Sequence, residues 1–187
     1  LHMDLGLKDK VVIVTGGAKG MGEAISKLAS AEGAIVVIAG RNAEDNEKTV
    51  SAIRKSGGRA TGVTAELGKV DDCKKVIDAT VKEHGRIDAL VNNAGANDGV
   101  GLESGNPEKF MASLQNNLSH YYNLAHFALP YLKAAKGNIV NIGSKVATTG
   151  QGNTSGYAAS KGAINALTRE WAVELLPFSV RVNTVIP

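Results

Sequence analysis

Short β-branched runs alternate with longer amphipathic runs along the whole sequence, and this alternation constrains the fold more than any other feature. Successive strand–helix units favour a parallel sheet, and right-handed crossovers then place helices on both of its faces. The sequence therefore predicts an α/β fold with a doubly wound parallel sheet. The predicted strands are residues 11–15, 34–39, 60–65, 87–92, 139–143 and 180–186, and the predicted helices are 20–32, 43–56, 70–84, 107–134 and 155–176.

Composition narrows the class of protein. A chain of 187 residues is long enough for one domain, and we expect residues 1–187 to form one, with Leu1 and His2 before Met3 a remnant of cloning. The net charge of +3 is scattered rather than gathered in a basic block, so nucleic-acid binding is not expected. The sequence does not begin like a signal peptide, and it has no apolar run long enough to span a bilayer. Cys73 is its only cysteine, so no disulfide can form within the chain, which fits a reducing compartment. We therefore expect a cytoplasmic protein without membrane contact.

A glycine-rich turn joins the first predicted strand to the first predicted helix. Gly16, Gly20 and Gly22 allow a tight turn and a close backbone approach, and the free N–H groups of a helix N-terminus favour a pyrophosphate. We expect these glycines, with Lys19 and Met21 between them, to bind a dinucleotide. The spacing differs from G-x-G-x-x-G, so a turn that serves only chain reversal is the alternative. The Lys-Ser/Thr pair that ends a P-loop does not follow these glycines, so a nucleoside triphosphatase is not expected.

A tyrosine and a lysine are spaced for one face of a predicted helix. Tyr157 and Lys161 are one turn apart, and a neighbouring cation stabilises a phenolate, which makes the phenol usable as a general acid or base. Ser144 follows the fifth predicted strand, at the carboxyl edge where open α/β sheets bind ligands, and its hydroxyl could bind the reacting oxygen. Taken alone, the Tyr–Lys pair could equally be a surface pair.

Together these motifs resemble the short-chain dehydrogenase/reductase family over the chain from its first strand to its last residue. The matching elements are the turn at 15–22, Asn92-Asn93-Ala94-Gly95, Asn117-Leu118, Ser144, Tyr157 with Lys161, and the stretch 182–187. The resemblance implies a Rossmann-type fold and an NAD(P)-dependent oxidoreductase that moves a hydride between nicotinamide and a hydroxyl or carbonyl carbon.

The resemblance also implies roles for four catalytic residues. Tyr157 exchanges a proton with the substrate oxygen, Ser144 orients that oxygen, and Lys161 activates the tyrosine and holds the nicotinamide ribose. Asn117 fixes a water that passes protons to Lys161, although it could instead be a helix residue that faces water. Asn93 and its neighbour Asn92 could mainly tie strands together.

The end of the second predicted strand bears on the choice of cofactor. NAD-binding sites of this kind usually carry an acid there, but this chain has Ala39-Gly40-Arg41-Asn42. Arg41 and Lys19 could both approach a 2′-phosphate, which favours NADP over NAD. Alternatively, Arg41 stacks on adenine or faces solvent and NAD is accepted. The resemblance adds these cofactor contacts: Glu66, Leu67, Asn93, Ala94, Gly95, Tyr157, Lys161 and Pro187.

Two polar loops suggest the class of substrate. Residues 145–156 contain no aromatic side chain, and a second polar cluster follows the fourth strand. Buried polar groups need partners, so such a pocket suits a substrate with several hydroxyls. Both loops also resemble those of L-fucose (aldose) 1-dehydrogenases. That resemblance implies oxidation of the sugar at C1 to a lactone. The expected substrate contacts are Asn97, Asp98, Ser144, Gln151, Asn153 and Tyr157. The loops could instead be polar because they face solvent. In that case a 3-oxoacyl-carrier-protein reductase is the alternative enzyme, and a non-catalytic dinucleotide sensor is the alternative of a different class.

The helix predicted over 107–134 has a broad apolar surface, formed by Phe110, Met111, Leu114, Leu118, Tyr121, Leu124, Phe127 and Leu132. Because relatives pair this helix across a two-fold axis, the resemblance implies a homodimer or homotetramer; a monomer with ordinary surface aromatics is the alternative. It also implies a lid and a last strand beyond Pro187 that this chain lacks, so we expect a longer working enzyme. His84, His120 and His126 are expected on helix surfaces or at an interface, and no metal-binding spacing is present.

Overall fold

The computed structural model of the protein describes residues 3–187, in which six parallel strands form one sheet. The strands are β1 (Val11–Thr15), β2 (Ile35–Gly40), β3 (Arg59–Thr64), β4 (Ala89–Asn92), β5 (Asn138–Ile142) and β6 (Arg181–Val185). Their order across the sheet is β3-β2-β1-β4-β5-β6, with β1 paired to both β2 and β4. This confirms the predicted doubly wound fold, and its switch point between β1 and β4 is where such sheets bind ligands.

Helices cover both faces of the sheet. They are α1 (Gly20–Ala31), α2 (Ala43–Lys55), α3 (Val70–His84), α4 (Pro107–Leu114), α5 (His120–Ala135) and α6 (Ser155–Glu174). Alternate residues of β1 separate two cores: Val11 and Ile13 pack with α3, α5 and α6, whereas Val12 and Val14 pack with α1 and α2. Of the helices within residues 3–187, none is long and apolar enough to span a membrane.

The spacing of Ala24, Ile25, Leu28 and Ala29 predicts one apolar face for the first helix, and this prediction is wrong in part. Leu28 is 68% exposed, and the residues of α1 that are buried are small ones: Gly22, Ser26, Ala29 and Ser30. The Ser26 hydroxyl reaches the Gly17 and Gly22 carbonyls at 3.0 and 2.8 Å. A bulky side chain at the buried positions would prevent this close approach, so α1 lies directly against the glycine-rich turn.

The helix predicted over 107–134 is interrupted. A π turn at Gln115–Ser119 separates α4 from α5. Tyr121, Leu124 and Leu132 of the predicted apolar surface are fully buried, whereas Met111 is 62% exposed. The fourth strand is also shorter than predicted, since it begins at Ala89 rather than Ile87. The assembly of the protein stays a prediction.

Asp88 links the amino-terminal edges of β1 and β4. Its carboxylate accepts hydrogen bonds from the Val11 backbone N–H at 2.9 Å and from Arg86 Nε and Nη2 at 2.8 and 2.6 Å. Burial raises the pKa of this carboxyl, but the bonds from Arg86 and Val11 outweigh burial and leave the pKa below its usual range. The charged form of Asp88 is therefore the one that holds this edge together.

We expect Asp88→Ala to lower the free energy of unfolding by about 2–3 kcal/mol, because it leaves a buried N–H and a guanidinium without their acceptor. Asp88→Asn, which keeps an acceptor for Val11, should lose less. Urea unfolding at several pH values measures both. A carboxyl with a lowered native pKa stabilises the fold above its unfolded pKa, near 3.9, and that contribution is lost as pH falls through the native pKa. Equal unfolding free energies for wild type and Asp88→Ala at neutral pH would contradict this role.

Candidate active site

The glycine-rich turn brings the start of α1 against the end of β4. Gly16 has a φ of +60°, which favours glycine. A Cβ at Gly22 would lie 2.1 Å from the Gly16 carbonyl oxygen and 2.6 Å from Asn93 Nδ2, so only glycine fits there. The N-cap residue Lys19 makes no side-chain capping bond. The first N–H groups of α1 are thus free of a side-chain cap, as a bound pyrophosphate requires.

A cleft of about 510 Å³ opens at the carboxyl edge of the sheet beside this turn. Predicted cofactor residues that line it are Gly16, Lys19, Met21, Gly22, Arg41, Glu66, Leu67, Asn93, Ala94 and Gly95. Asp98 and Asn117, predicted for substrate and catalysis, also line it. The predicted cofactor residues Gly20, Tyr157, Lys161 and Pro187 are not part of its lining. Its size and its uncapped helix end fit a dinucleotide.

Hydrogen bonds between strand ends join segments that line the cleft. The Thr15 hydroxyl accepts bonds from the Asn93 and Ala94 N–H groups at 2.8 and 2.9 Å, and Asn93 Nδ2 donates to the Thr15 carbonyl at 2.9 Å. Asn92 Nδ2 donates to Asn141 Oδ1 at 3.0 Å, across β4 and β5. The two asparagines therefore tie neighbouring strands together, and Asn93 also lines the cleft.

Two basic side chains lie at the end of the cleft next to β2. Arg41 is exposed, and no ion pair of its guanidinium is found within residues 3–187. Lys19 Nζ lies 2.6 Å from Asp45 Oδ2. The backbone N–H of Asp45 donates to the side-chain oxygen of the N-cap residue Asn42. Arg41 is accordingly the more available of the two cations for an anionic group.

Lys161 is deeply buried on α6. Only 3% of the residue is exposed, and Nζ donates to the Ile142 carbonyl at 2.8 Å and to the Tyr121 hydroxyl at 3.2 Å. Its Nζ lies 5.5 Å from the centre of the Tyr157 ring, so the predicted pair does face one another. Burial lowers the pKa of Lys161 to about 8. The half-buried Tyr157 thus lies beside a buried ammonium whose pKa is well below that of a hydrated lysine.

Ser144 and Asn117 lie on two other elements at the carboxyl edge of the sheet. Ser144 follows β5 and is half-buried, and its hydroxyl accepts a long bond, 3.4 Å, from the Val146 N–H. Asn117 lies in the π turn, is 1% exposed, and its Oδ1 accepts from the Ala96 N–H at 2.8 Å. The alternative of a water-facing Asn117 is therefore wrong. Its side chain fixes the segment after β4, and π turns often occur at functional sites.

The two predicted substrate loops lie side by side. The Thr154 hydroxyl donates to Asn97 Oδ1, and the Gly156 N–H donates to the Val100 carbonyl at 3.1 Å. Asp98 accepts a bond from the buried Ser113 hydroxyl at 3.0 Å. Gln151 and Asn153, in contrast, are exposed. Asp98 is therefore the acidic group of this pair of loops that faces the cleft.

His120 is a cleft residue that sequence reasoning placed wrongly. The sequence predicts it on a helix surface or at an interface, but it is 1% exposed and lines the cleft. Its Nε2 lies 2.9 Å from the Asn116 carbonyl, which can only accept, so Nε2 carries the proton. Burial lowers the pKa of His120 to about 4, which keeps the ring neutral. Helical periodicity alone could not reveal this, because the π turn changes the face that follows it.

The family model described as short chain dehydrogenase matches residues 10–187. The chain belongs to the short-chain dehydrogenase/reductase family. Members of this family act on CH–OH and carbonyl groups with NAD(P), and this chain is accordingly an oxidoreductase of that type.

Three short-chain dehydrogenase/reductase relatives differ in their substrates. The chain is 34% identical to 3-oxoacyl-[acyl-carrier-protein] reductase from Thermotoga maritima, covering 97% of this chain and 74% of the relative. It is 36% identical to cyclopentanol dehydrogenase from Comamonas testosteroni, covering 97% and 73%. It is 35% identical to L-fucose dehydrogenase from Oryctolagus cuniculus, covering 95% of this chain but 62% of the relative.

Solved structures of the family agree closely with this fold. The crystal structure of Cj0485 dehydrogenase is 42% identical with a TM-score of 0.91, covering 99% of this chain and 70% of that one. NADH-dependent reductase A1-R′, solved as a complex with NAD, is 28% identical with a TM-score of 0.93, covering 99% and 80%. Dinucleotide binding is therefore a property of the family shared by a structural neighbour, and the choice between NAD and NADP is open.

We expect Gly22→Ala to weaken NADH binding by about tenfold or more, because the added methyl group collides with the Gly16 carbonyl and pushes the turn out of shape. Fluorescence titration with NADH measures the loss, and circular dichroism checks the fold. Gly150→Ala is the matched control, since a Cβ there meets nothing within 4 Å. Unchanged affinity in Gly22→Ala would show that the dinucleotide does not use this turn.

Proposed function

We propose that this protein oxidises the C1 hydroxyl of an aldose of the L-fucose type to a lactone, with Tyr157 as the proton acceptor. The observation that carries the chemistry is the buried Lys161 ammonium 5.5 Å from the centre of the Tyr157 ring, next to a cleft that fits a dinucleotide. An uncompensated cation stabilises a phenolate far better than bulk water does, because the surrounding dielectric is low.

Each proposed catalytic residue has one task. The Tyr157 phenolate takes the hydroxyl proton while the Ser144 hydroxyl orients the same oxygen, so the C–H bond can break and a C=O bond form. When bound, nicotinamide supplies the acceptor for the hydride that leaves carbon. Lys161 holds the phenolate charge before the step, and Asn117 fixes the segment after β4, which lines the cleft. The positions carry over from the family motif, and their grouping at one edge of the sheet supports the assignment.

The sugar assignment rests on the loops and on one relative. Asp98 lines the cleft with a carboxylate oxygen held by Ser113, which leaves it able to accept a bond from a substrate hydroxyl. The loop between Ser144 and Tyr157 contains no aromatic residue, and an L-fucose dehydrogenase is 35% identical to this chain. A 3-oxoacyl-carrier-protein reductase is the second candidate because of the 34% identity to the Thermotoga maritima enzyme.

The proposed cofactor is NADP rather than NAD. The end of β2 offers Arg41 to a 2′-phosphate, and no acid occupies the position that would meet a ribose hydroxyl. A second cation, Lys19, lines the same cleft but is paired with Asp45. The preference thus depends mainly on one guanidinium.

An assay that follows nicotinamide absorbance tests the function. The substrates are L-fucose, other aldoses and simple alcohols with the oxidised cofactor, and a 3-oxoacyl thioester with the reduced cofactor. We expect aldose-dependent reduction of the cofactor, and a loss of about a thousandfold in kcat/KM in Tyr157→Phe because the proton acceptor is gone. Turnover with the thioester alone would overturn the sugar assignment but keep the mechanism. Cofactor binding without turnover of any substrate would favour a sensor.

Substitution of each cation tests the cofactor proposal. We expect Arg41→Ala to weaken NADPH binding about tenfold, the equivalent of one charge-assisted hydrogen bond, and to leave NADH binding nearly unchanged. Lys19→Ala should have the smaller effect, because Asp45 already neutralises that ammonium. Fluorescence titration with both reduced dinucleotides gives the affinities. If wild type binds NADH more tightly than NADPH, the proposed preference is wrong.

A further inference from the structure

The ammonium of Lys161 is buried without a counter-ion. Within residues 3–187 it forms no ion pair with any carboxylate, and only 3% of the residue is exposed. An isolated charge in such surroundings is expensive unless its N–H groups are hydrogen-bonded. Two acceptors meet this need, the Ile142 carbonyl at 2.8 Å and the Tyr121 hydroxyl at 3.2 Å. Tyr121 therefore supplies one of the two bonds that keep this lysine charged.

The hydroxyl of Tyr121 is held in one orientation. It donates its own proton to the Ile142 carbonyl at 2.9 Å, so its lone pairs turn toward Lys161 Nζ. The residue is fully buried in the first turn of α5. Burial, reinforced by nearby Tyr157, raises the pKa of Tyr121, so this phenol stays neutral. It is a fixed dipole that accepts from the ammonium and does not exchange its proton.

Lys161 lies between two phenols with different surroundings. Its Nζ is 5.4 Å from the centre of the Tyr121 ring and 5.5 Å from the centre of the Tyr157 ring. Tyr121 is fully buried, whereas Tyr157 is only half-buried. The buried Tyr121 can therefore hold the lysine in place while the more accessible Tyr157 exchanges a proton.

We propose that Tyr121 is a positioning residue, whose hydroxyl keeps the Lys161 ammonium charged and directed toward Tyr157. The proposal rests on the proposed roles of Tyr157 and Lys161 in proton transfer. Loss of the hydroxyl would leave the ammonium one acceptor, favour its neutral form, and so reduce the stabilisation of a Tyr157 phenolate.

The groups that face Lys161 are few, which makes its titration interpretable. From α5 they are Tyr121 and the neutral His120, from its own helix Tyr157, and from β5 the uncharged Ile142 carbonyl. Burial alone already brings the pKa of Lys161 down to about 8. A change in one hydrogen bond should therefore move the charge of this lysine within an accessible range of pH.

An NMR titration of lysine side chains labelled at Cε and Nζ measures this without substrate or cofactor. The Lys161 signal is assigned by its absence in Lys161→Arg, and the titration is repeated on Tyr121→Phe. Tyr122→Phe is the matched control, because it makes the same change one residue along α5 on a side chain that is 53% exposed. We expect Tyr121→Phe to lower the Lys161 midpoint by about half a pH unit or more, which one weak neutral hydrogen bond would produce.

An unchanged midpoint in Tyr121→Phe would overturn the proposal, and so would an equal shift in Tyr122→Phe. If Tyr121→Phe does not fold, 3-fluorotyrosine in the otherwise unchanged protein replaces it. Its four tyrosine signals are assigned by substituting the other three, and the Tyr121 fluorine signal should move at the Lys161 midpoint. A Tyr121 fluorine signal that does not move at the Lys161 midpoint would overturn the proposal.

Activity gives a separate readout once a substrate is found. We expect Tyr121→Phe to lower kcat with little change in the KM for cofactor, and to narrow the pH–rate profile from both sides. A purely structural role would lower the rate without moving either limb. Because the NMR titration needs no substrate, a wrong sugar assignment leaves it intact, and failure of the two proposals can be told apart.

Discussion

The site depends on one chain of buried hydrogen bonds that links the carboxyl ends of the central strands to the catalytic helix. Thr15 of β1 is bonded to Asn93, Asn92 of β4 is bonded to Asn141 of β5, and Asn141 is bonded to Thr168 of α6 at 3.0 Å. Every residue in this chain except the half-buried Asn93 is buried. Unpaired polar groups in such positions are costly, so the network fixes the spacing of β1, β4, β5 and α6.

This fixed spacing creates both halves of the site. Because β1 and β4 are joined at their ends while their helices diverge, a cleft opens at the glycine-rich turn. Because α6 is attached to β5, Lys161 reaches the Ile142 carbonyl at the end of that strand and stays out of water. A hydrated lysine would stabilise a phenolate only weakly, because water screens its charge. Burial without a carboxylate partner instead makes the charge strongly felt and dependent on two hydrogen bonds.

Much of this could be predicted from the sequence, because it depends on local patterns. The strand–helix alternation determines the sheet, and the glycine turn, Ser144, Tyr157 and Lys161 stand at the ends of elements whose positions follow from it. Contacts between distant elements could not be predicted. Nothing in the chain's periodicity indicates that Tyr121 reaches Lys161, or that Asp45 neutralises Lys19. His120 was misplaced because the π turn rotates the helix, and Leu28 because small residues were needed against the turn.

The account's central claim is that a hydride passes between nicotinamide and a CH–OH carbon under the control of Tyr157. The most direct test supplies reduced dinucleotide deuterated at C4 with a mixture of lactones, ketones, aldehydes and thioesters, and follows deuterium by mass spectrometry. The account predicts deuterium on the carbinol carbon of a product with wild type, and transfer about a thousandfold slower with Tyr157→Phe. Tight binding of the dinucleotide, with no deuterium transferred to any compound, would contradict it.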